Sequence, residues 1–382
     1  MTRPTSTAVV LPPEAEQSGP RQPSFAPVDG EVFGGTVLAP NGTRDAGPSP
    51  SSEEESGPGS LRERFLRPQT LVSFALAAAI IAFFFLRLDI DPAAVWANLR
   101  RANPLTFLLA LSIFYLGFIV RAARWRAMLG RVGVDASHGF PVPALPGLVE
   151  IYVLSWFANC IVPAKLGDAY RSFLLKRATR APFSTGLGTI LAERLIDLLA
   201  LFVAMSVAAV SVFGRHLPGQ ATQTLIGGTL LVALGAVGLA GMWLSRDVLE
   251  RRLPGRFREQ YGRLHTAVFA SLRRPERFLA ISVGIWLSEG LRLFLVALAL
   301  GAEVSISMAV FVALLSSLLT AIPFTPAGLG VVEAAMIVML GLADVDNSMA
   351  TSIAILDRVI GYWSLVVVGL VLYARRVRRD LA

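Results

Sequence analysis

The segment 306–343 reads ISMAVFVALLSSLLTAIPFTPAGLGVVEAAMIVMLGLA, an apolar stretch that prolines and glycines break in the middle. The break is formed by Pro323, Pro326, Gly328 and Gly330. Proline removes a backbone donor and glycine relaxes the backbone, so neither belongs inside a plain lipid-facing helix. The flanks at 301–305 and 341–350 hold no Lys or Arg, which predicts that both face outward. The sequence therefore predicts a re-entrant element here.

The rest of the chain is also strongly apolar. Apolar residues make up 54% of it, charged residues 16%, and the mean hydropathy is +0.60. A soluble protein has about a quarter of its residues charged. The longest apolar runs are Leu71–Leu86, Leu105–Val120, Leu198–Phe213, Leu225–Leu244 and Leu365–Tyr373. A buried soluble helix explains one such run but not five, so the pattern predicts an all-α polytopic membrane protein.

The distribution of Lys and Arg between the runs predicts the topology. Nine lie in 245–277 and four follow Tyr373, so we expect both stretches in the cytoplasm. The stretch 214–224 holds one and is expected to face outward. Both flanks of the apolar segment 147–163 are then inside, which makes that segment a second re-entrant candidate. The sequence predicts about six full spans plus two re-entrant broken helices, or eight spans.

The two broken segments resemble each other. The first contains Pro163-Ala-Lys-Leu-Gly167 and the second contains Pro326-Ala-Gly-Leu-Gly330. An acid–arginine pair follows the last glycine of each, Glu193-Arg194 after 26 residues and Asp357-Arg358 after 27. Two matches at nearly equal spacing indicate a duplicated unit, which the topology turns upside down in the second half. Inverted repeats with broken helices are a recurrent transporter design. We predict a pseudo-twofold axis in the membrane plane.

Ionisable residues fall within the apolar segments. They are Glu193, Arg194, Asp197, Glu289, Arg292, Glu333, Asp357 and Arg358. Each costs about 3 kcal/mol at membrane depth, so such residues face the bundle interior or a wet cavity. Two interpretations stay open. The charges pair only to hold helices together, or they line a polar path for a lipid headgroup.

Basic residues surround Asp168 at the first break, namely Lys165, Arg171, Lys176 and Arg177. Helix N-termini with nearby Arg or Lys bind phosphate, but anchoring by the positive-inside rule explains the same residues. The second apolar run ends at residues that are typical of a membrane–water boundary, namely Arg121, Arg124, Trp125 and Arg126. Trp beside Arg at such a boundary is typical of interfacial anchoring.

The ends of the chain differ from its middle. Residues 1–60 are rich in Pro, Gly and Ser and hold eight acids against three arginines, which predicts a disordered acidic tail. Residues 61–375 are predicted to form the transmembrane domain and 376–382 a basic cytoplasmic tail. The formal charge is +8, but basic residues at the ends of apolar runs favour anchoring to anionic headgroups over nucleic-acid binding. We expect no metal and no cofactor.

Five stretches carry a resemblance to a known family. They are RAARW at 121–125, NCIVPAKLGDAYR at 159–171, LAERLIDLL at 191–199, IPFTPAGLGVVE at 322–333 and LDRVIGYW at 356–363. Over roughly 66–375 the chain resembles the transmembrane-region family of lysylphosphatidylglycerol synthases, also described as flippase-like membrane proteins. The resemblance implies a multi-span inner-membrane protein. In bifunctional members this region moves an aminoacylated phospholipid between leaflets.

The resemblance also implies a set of site positions. Carried over to this chain, they are Asn159, Pro163, Gly167, Asp168, Arg171, Glu193, Arg194, Asp197, Pro323, Gly328, Gly330, Glu333 and Arg358. Bifunctional members have a soluble acyltransferase-like domain after the membrane region, whereas this sequence ends nine residues past Tyr373. We therefore expect no synthesis of lysyl-lipid, and the family's best-known substrate is not transferred to this chain.

Three functions are compatible with these sequence features. The favoured one is lipid translocation in the inner (plasma) membrane, with anionic or phosphorylated lipids as partners and both termini cytoplasmic. The second is a membrane enzyme acting on lipid phosphates. The sequence has no DDxxD-like metal motif, nucleophile–base arrangement or nucleotide loop, so we do not expect an enzyme. The third is a non-transporting subunit that partners a separate synthase or glycosyltransferase.

Overall fold

The computed structural model describes residues 90–161, 166–214, 217–320 and 326–381. These residues form helices joined by short turns, and no strand occurs among them. The predicted all-α polytopic membrane fold is confirmed. Several predictions concern residues outside the described ranges, namely the tail at 1–60, the run Leu71–Leu86, Pro163, Lys165 and Pro323.

The α-helices within the described ranges follow one another closely along the chain. They are α1 (Pro92–Arg101), α2 (Pro104–Arg131), α3 (Leu145–Ile161), α4 (Gly167–Thr179), α5 (Phe183–Phe213), α6 (Gly219–Leu244), α7 (Arg246–Arg252), α8 (Gly255–Leu272), α9 (Glu276–Ala299), α10 (Ile306–Leu319), α11 (Val331–Gly341), α12 (Asn347–Arg358) and α13 (Leu365–Leu381). A π-helical stretch, Val359–Ser364, joins α12 to α13, and short 3-10 turns form at Ala136–His138 and Pro326–Gly328.

Five helical stretches in these ranges are long and apolar enough to cross a bilayer. They are Pro104–His138, Phe183–Phe213, Gly219–Leu244, Glu276–Ala299 and Asn347–Arg379. A hydrocarbon core of about 30 Å needs about 20 helical residues. The apolar helices α3, α10 and α11 have only 17, 14 and 11 residues. α10 and α11 are therefore each too short to cross alone.

Both segments that the sequence predicts to be broken are interrupted at the predicted place. The first break separates α3 from α4, and the second separates α10 from α11. Before α11, Ala327, Gly328 and Gly330 have φ values of 49°, 71° and 86°, a region that glycine adopts without steric cost. In each segment the two helices pack against each other. The same order of elements thus occurs in both halves, while the pseudo-twofold axis stays a prediction.

The basic stretch 245–277, predicted as a loop, is mostly helical. It forms α7 and α8, and α8 packs against α5 through the buried residues His265, Ala267 and Val268. Gly188 of α5 permits this approach, because a Cβ there would lie 2.7 Å from the Ala267 Cβ. The arginines of α8 remain exposed on its other side, as expected for an amphipathic helix on the membrane surface.

Helix α9 lies at the centre of the bundle, where it packs against α2, α5, α10 and α12. Small residues let membrane helices approach closely. Gly290 does this at the contact with α10, because a Cβ at this position would lie 2.7 Å from the Val310 Cα. By contrast, α6 packs mainly on α5 and exposes most of its apolar side chains. The described bundle is therefore tightest around α9.

Gly290→Ala is expected to lower the melting temperature of the purified protein in detergent. The added methyl group overlaps the Val310 backbone, and overpacking of this kind costs about 1–3 kcal/mol. Gly284→Ala in the same helix is the matched control, since nothing lies within 4 Å of a Cβ placed there. Thermal unfolding measures both variants. Equal melting temperatures for the two would contradict the close α9–α10 contact.

Candidate functional site

A cavity of about 300 Å³ lies between residues of the two halves. Aromatic side chains from three helices, Phe114, Trp156 and Trp286, form part of its wall. Polar groups from the second broken segment, including Ser316 and Thr320, also line it. Its charged lining residues are Asp168, Arg194, Asp197, Glu289, Arg292, Asp357 and Arg358. A cavity with this many charges among apolar helices is wet or binds a polar group.

The charges on one side of the cavity form the first ionic cluster, which consists of Arg124, Arg171, Arg194, Asp168, Glu193 and Asp197. Arg124 binds Asp197 with both terminal nitrogens, Nη1 at 2.5 Å from Oδ1 and Nη2 at 3.0 Å from Oδ2. Arg171 Nη1 lies 3.2 Å from Glu193 Oε1. Arg194 donates from Nε and Nη2 to the two oxygens of Asp168 at 3.0 and 3.1 Å.

The charges on the other side form the second ionic cluster, which consists of Arg121, Arg292, Arg358, Glu289, Glu333 and Asp357. Glu289 accepts from Arg121 Nη2 at 2.7 Å and from Arg292 Nε at 3.0 Å. Arg292 also binds Asp357. Arg358 Nε lies 2.7 Å from Glu333 Oε1. Each carboxylate that lines the cavity therefore faces at least one arginine.

The two clusters repeat one arrangement. In both halves, the arginine of the acid–arginine pair binds the acid in the first turn of the helix that follows the break. This gives Arg194–Asp168 in the first half and Arg358–Glu333 in the second. The acid of each pair instead binds arginines from other helices. The equivalence supports the predicted duplication at the level of individual contacts.

The first ionic cluster has a buried part and an open part. The side chains of Arg171 and Glu193 are 0% exposed, and Arg171 stacks over Tyr152 at 4.3 Å. The side chains of Arg194 and Asp168 are 36% and 23% exposed. Glu193 therefore does not line the cavity, contrary to its predicted place in the headgroup path. Successive helical residues point about 100° apart, so Glu193 faces the interior when Arg194 faces the cavity.

The cavity wall contains buried N–H groups that lack a hydrogen bond. Trp156 Nε1 and Arg358 Nε and Nη2 have no hydrogen-bond partner among the described residues. The Nε of Arg358 is close to Glu333, but the alignment does not make a hydrogen bond. An unsatisfied buried donor is costly, so these groups favour an additional acceptor close to the cavity wall.

The first break is fixed beside the cavity by contacts to α3. The backbone N–H of Gly167 donates to Asn159 Oδ1 at 2.8 Å, and its carbonyl accepts from Ser155 Oγ at 2.8 Å. A Cβ on Gly167 would collide with the Ser155 carbonyl oxygen, so glycine is required at this position. At the second break, Glu333 accepts from the backbone N–H of Gly330 at 2.7 Å. Hydrogen bonds thus fix Gly167 and Gly330, at the end of each break, next to the charged residues.

The family model described as the lysylphosphatidylglycerol synthase transmembrane region matches residues 70–369. The chain belongs to this family. This confirms the resemblance inferred from the sequence motifs. A UPF0104 membrane protein of Methanocaldococcus jannaschii is 35% identical over 219 residues, which cover 57% of this chain and 93% of that protein. A UPF0104 membrane protein of Methanothermobacter thermautotrophicus is 24% identical over 318 residues, which cover 77% and 92%.

A further relative of this chain is described as a glycosyltransferase. Glycosyltransferase AglD of Haloferax volcanii is 27% identical over 341 residues. The match covers 78% of this chain but only 53% of the AglD chain. The shared part therefore amounts to about half of that relative.

The site residues expected for this family member have three locations. Those lining the cavity are Asn159, Asp168, Arg194, Asp197, Glu289, Arg292, Asp357 and Arg358. Those that do not line the cavity but form ion pairs next to it are Arg171, Glu193 and Glu333. Those that shape the breaks are Gly167, Gly328 and Gly330, with Pro326 at the start of the 3-10 turn.

The structure corrects the prediction for two arginines near the cavity. Arg121 and Arg124 were predicted as interfacial anchors, but they are 3% and 2% exposed and bind Glu289 and Asp197. Their spacing of three residues, which puts both on one helix face, was the available signal. Only the neighbouring Arg126 is exposed as an anchor would be.

No group of three or more His, Cys, Asp or Glu side chains in the described ranges is placed to hold a metal ion. The carboxylates that line the cavity are instead bound by guanidinium groups. The arrangement suits binding of an anion by exchange, because an incoming phosphate competes with a carboxylate for the same arginine.

Proposed function

We propose that this protein moves a lipid with a phosphorylated headgroup between the leaflets of the inner membrane. The observation that carries the proposal is that Arg194, Arg292 and Arg358 line one cavity among the membrane helices. Arginine stays charged and binds phosphate oxygens in a bidentate manner. The headgroup passes through the cavity while the acyl chains remain in the bilayer.

The Arg194–Asp168 pair is the entry point for the phosphate. Its two side chains are more exposed than those of any other pair in the clusters, which lets a headgroup oxygen replace the Asp168 carboxylate. Arg292 and Arg358, which line the same cavity, then supply further hydrogen bonds to the headgroup. At about 300 Å³, the volume lies at the small end of the range for ligand pockets and suits a headgroup rather than a whole lipid.

A leaflet-resolved assay in proteoliposomes tests this proposal. Fluorescent phosphatidylglycerol is placed in both leaflets, and a membrane-impermeant reductant bleaches only the outer one. With the purified protein, fluorescent lipid from the inner leaflet should reach the outer leaflet and be bleached. In protein-free liposomes the fluorescence of the inner leaflet should persist. Mass spectrometry of co-purified lipids identifies the natural headgroup. Glycerophosphoglycerol shares the phosphodiester but has no acyl chains. If the protein binds it as tightly as phosphatidylglycerol, the assignment to a lipid is wrong.

A second candidate function is a membrane subunit that partners a separate glycosyltransferase or lipid synthase. The similarity to glycosyltransferase AglD favours it, because the match covers about half of that relative and leaves room for a further domain there. Affinity purification from native membranes separates the two candidates. A stoichiometric transferase in the eluate, together with no lipid movement in liposomes, would favour the partner function.

The topology is part of the proposal. We place both termini and the basic stretch 245–277 in the cytoplasm, and 214–224 outside. In a Cys160→Ser background, Gln220→Cys is expected to react with a membrane-impermeant maleimide added to intact cells, whereas Arg256→Cys should react only after permeabilisation. Both positions are exposed, so access rather than burial decides the result. Labelling of Arg256→Cys in intact cells would contradict this orientation.

A further inference from the structure

The two ionic clusters are electrically neutral in the described structure. Each contains three arginines and three carboxylates, and every member lies within ion-pair distance of an opposite charge. Arginine stays protonated in proteins, and carboxylates paired with it stay ionised. Among the described residues, the two clusters therefore offer no spare positive charge to an anionic headgroup.

Binding of an anion to Arg194 separates this arginine from the Asp168 carboxylate. A phosphodiester that takes Arg194 leaves Asp168 without its hydrogen-bonded arginine. An unpaired carboxylate in a low-dielectric region takes up a proton rather than remain charged. We propose that the cavity binds one proton, on Asp168, with each singly anionic headgroup. This inference rests on the proposed lipid function and adds the co-transported ion.

The surroundings of Asp168 single it out from the other acids. Among the described residues, its charged neighbours are Arg171 on its own helix and Glu193 and Arg194 on α5, while Asp197 and Arg358 line the same cavity. Its neighbour on α3 is the neutral Asn159. Arg194 alone among these donates hydrogen bonds to it.

The remaining acids are held by more groups or are less exposed than Asp168. The side chain of Asp357, bound by Arg292, is 10% exposed, and that of Glu193, bound by Arg124 and Arg171, is fully buried. Glu289 is bound by two arginines, Asp197 by both terminal nitrogens of Arg124 and by Ser282. Glu333 also accepts a backbone N–H, and its side chain is less exposed than that of Asp168. Asp168 is therefore the carboxylate that an incoming phosphate releases first.

The transport cycle follows from this exchange. The lipid anion and a proton from the water on the same side enter the cavity together. When the headgroup leaves toward the opposite leaflet, Arg194 returns to Asp168 and the proton is released on that side. The net charge moved is zero, so a pH gradient drives the process and the membrane potential does not.

Proton uptake is measured by calorimetric titration of the detergent-solubilised protein in two buffers with different ionisation enthalpies. Short-chain phosphatidylglycerol, with one net negative charge, should bind with uptake of about one proton per lipid near pH 7. Short-chain phosphatidylethanolamine should bind without uptake, because its ammonium can pair with the released carboxylate. Binding of phosphatidylglycerol with no proton uptake would overturn the inference.

Variants assign the proton to its site. Asp168→Asn should bind phosphatidylglycerol with uptake close to zero, and Asp168→Glu should restore it. Glu303→Gln, an exposed acid outside the clusters, is the control and should behave as the wild type. Unchanged uptake in a folded Asp168→Asn protein would contradict the assignment to Asp168. If this variant does not fold, the two-lipid comparison with the wild-type protein still decides whether binding and protonation are coupled.

The liposome assay separates this inference from the proposed function. Lipid movement that responds to membrane potential but not to an imposed pH gradient would overturn proton coupling and leave the lipid function standing. A wild-type protein that neither binds nor moves phosphatidylglycerol would overturn both. Movement of phosphatidylglycerol along the pH gradient, with the potential clamped to zero, is the expected result.

Discussion

Arg194→Gln is expected to lower phosphatidylglycerol translocation roughly 30-fold, since Arg194 is the proposed phosphate ligand and a hydrogen bond to a charged group contributes about 2 kcal/mol. The melting temperature should change little, because Asp168 is 23% exposed and lines the cavity, so it can take up a proton from water when it loses Arg194. Arg358→Gln should reduce translocation similarly, because Arg358 lines the same cavity and is a second proposed ligand of the headgroup. The leaflet assay and detergent melting curves measure both properties.

The control for this prediction is Arg258→Gln, which removes an exposed arginine of α8 far from the cavity lining. It should retain full activity and stability. The alternative is that the cavity arginines serve only to hold helices together. In that case, Arg194→Gln and Arg358→Gln would lose melting temperature in proportion to lost activity, and the headgroup assignment would be wrong.

Arg171→Met is expected to prevent normal folding. Its side chain is fully buried, binds Glu193 and stacks over Trp125 and Tyr152 at 4.9 and 4.3 Å. Removing one partner of a buried ion pair leaves an uncompensated charge and costs about 3–5 kcal/mol. Fluorescence-detected size-exclusion chromatography should show a strongly reduced monodisperse peak, and any remaining protein should melt earlier.

Two further variants test the cause of that loss. Adding Glu193→Gln to Arg171→Met removes the stranded charge, so the double variant should recover part of the folded yield. Lys176→Met on the same helix changes an exposed side chain and should fold normally. Normal folding of Arg171→Met alone would show that the buried part of the first ionic cluster does not support the fold.

The sequence predicted the parts of the fold that have a local chemical signal. Prolines and glycines marked both helix breaks, because their backbone properties are visible at single positions. Apolar run lengths predicted the membrane spans. The acid–arginine pairs at matching distances from the breaks indicated where charges enter the membrane.

The partners of these charges were not predictable in the same way. Neighbouring residues such as Glu193 and Arg194 point in different directions from a helix, so sequence adjacency does not make an ion pair. The true partners come from distant elements, as with Arg292 and Asp357, which are 65 positions apart. Arg121 and Arg124 were misassigned because buried and interfacial arginines look alike beside a tryptophan at a helix end.

The long-range pairing of α2 has a consequence for biosynthesis. Arg121 is separated from its partner Glu289 by 168 positions. At about 5–20 residues per second, the ribosome needs roughly 10–30 s to make that intervening chain. During this interval the arginine must rest in the translocon, at the lipid interface or against water. The first half of the bundle therefore completes its charge pairing only after most of the protein has emerged, which places final assembly late in membrane insertion.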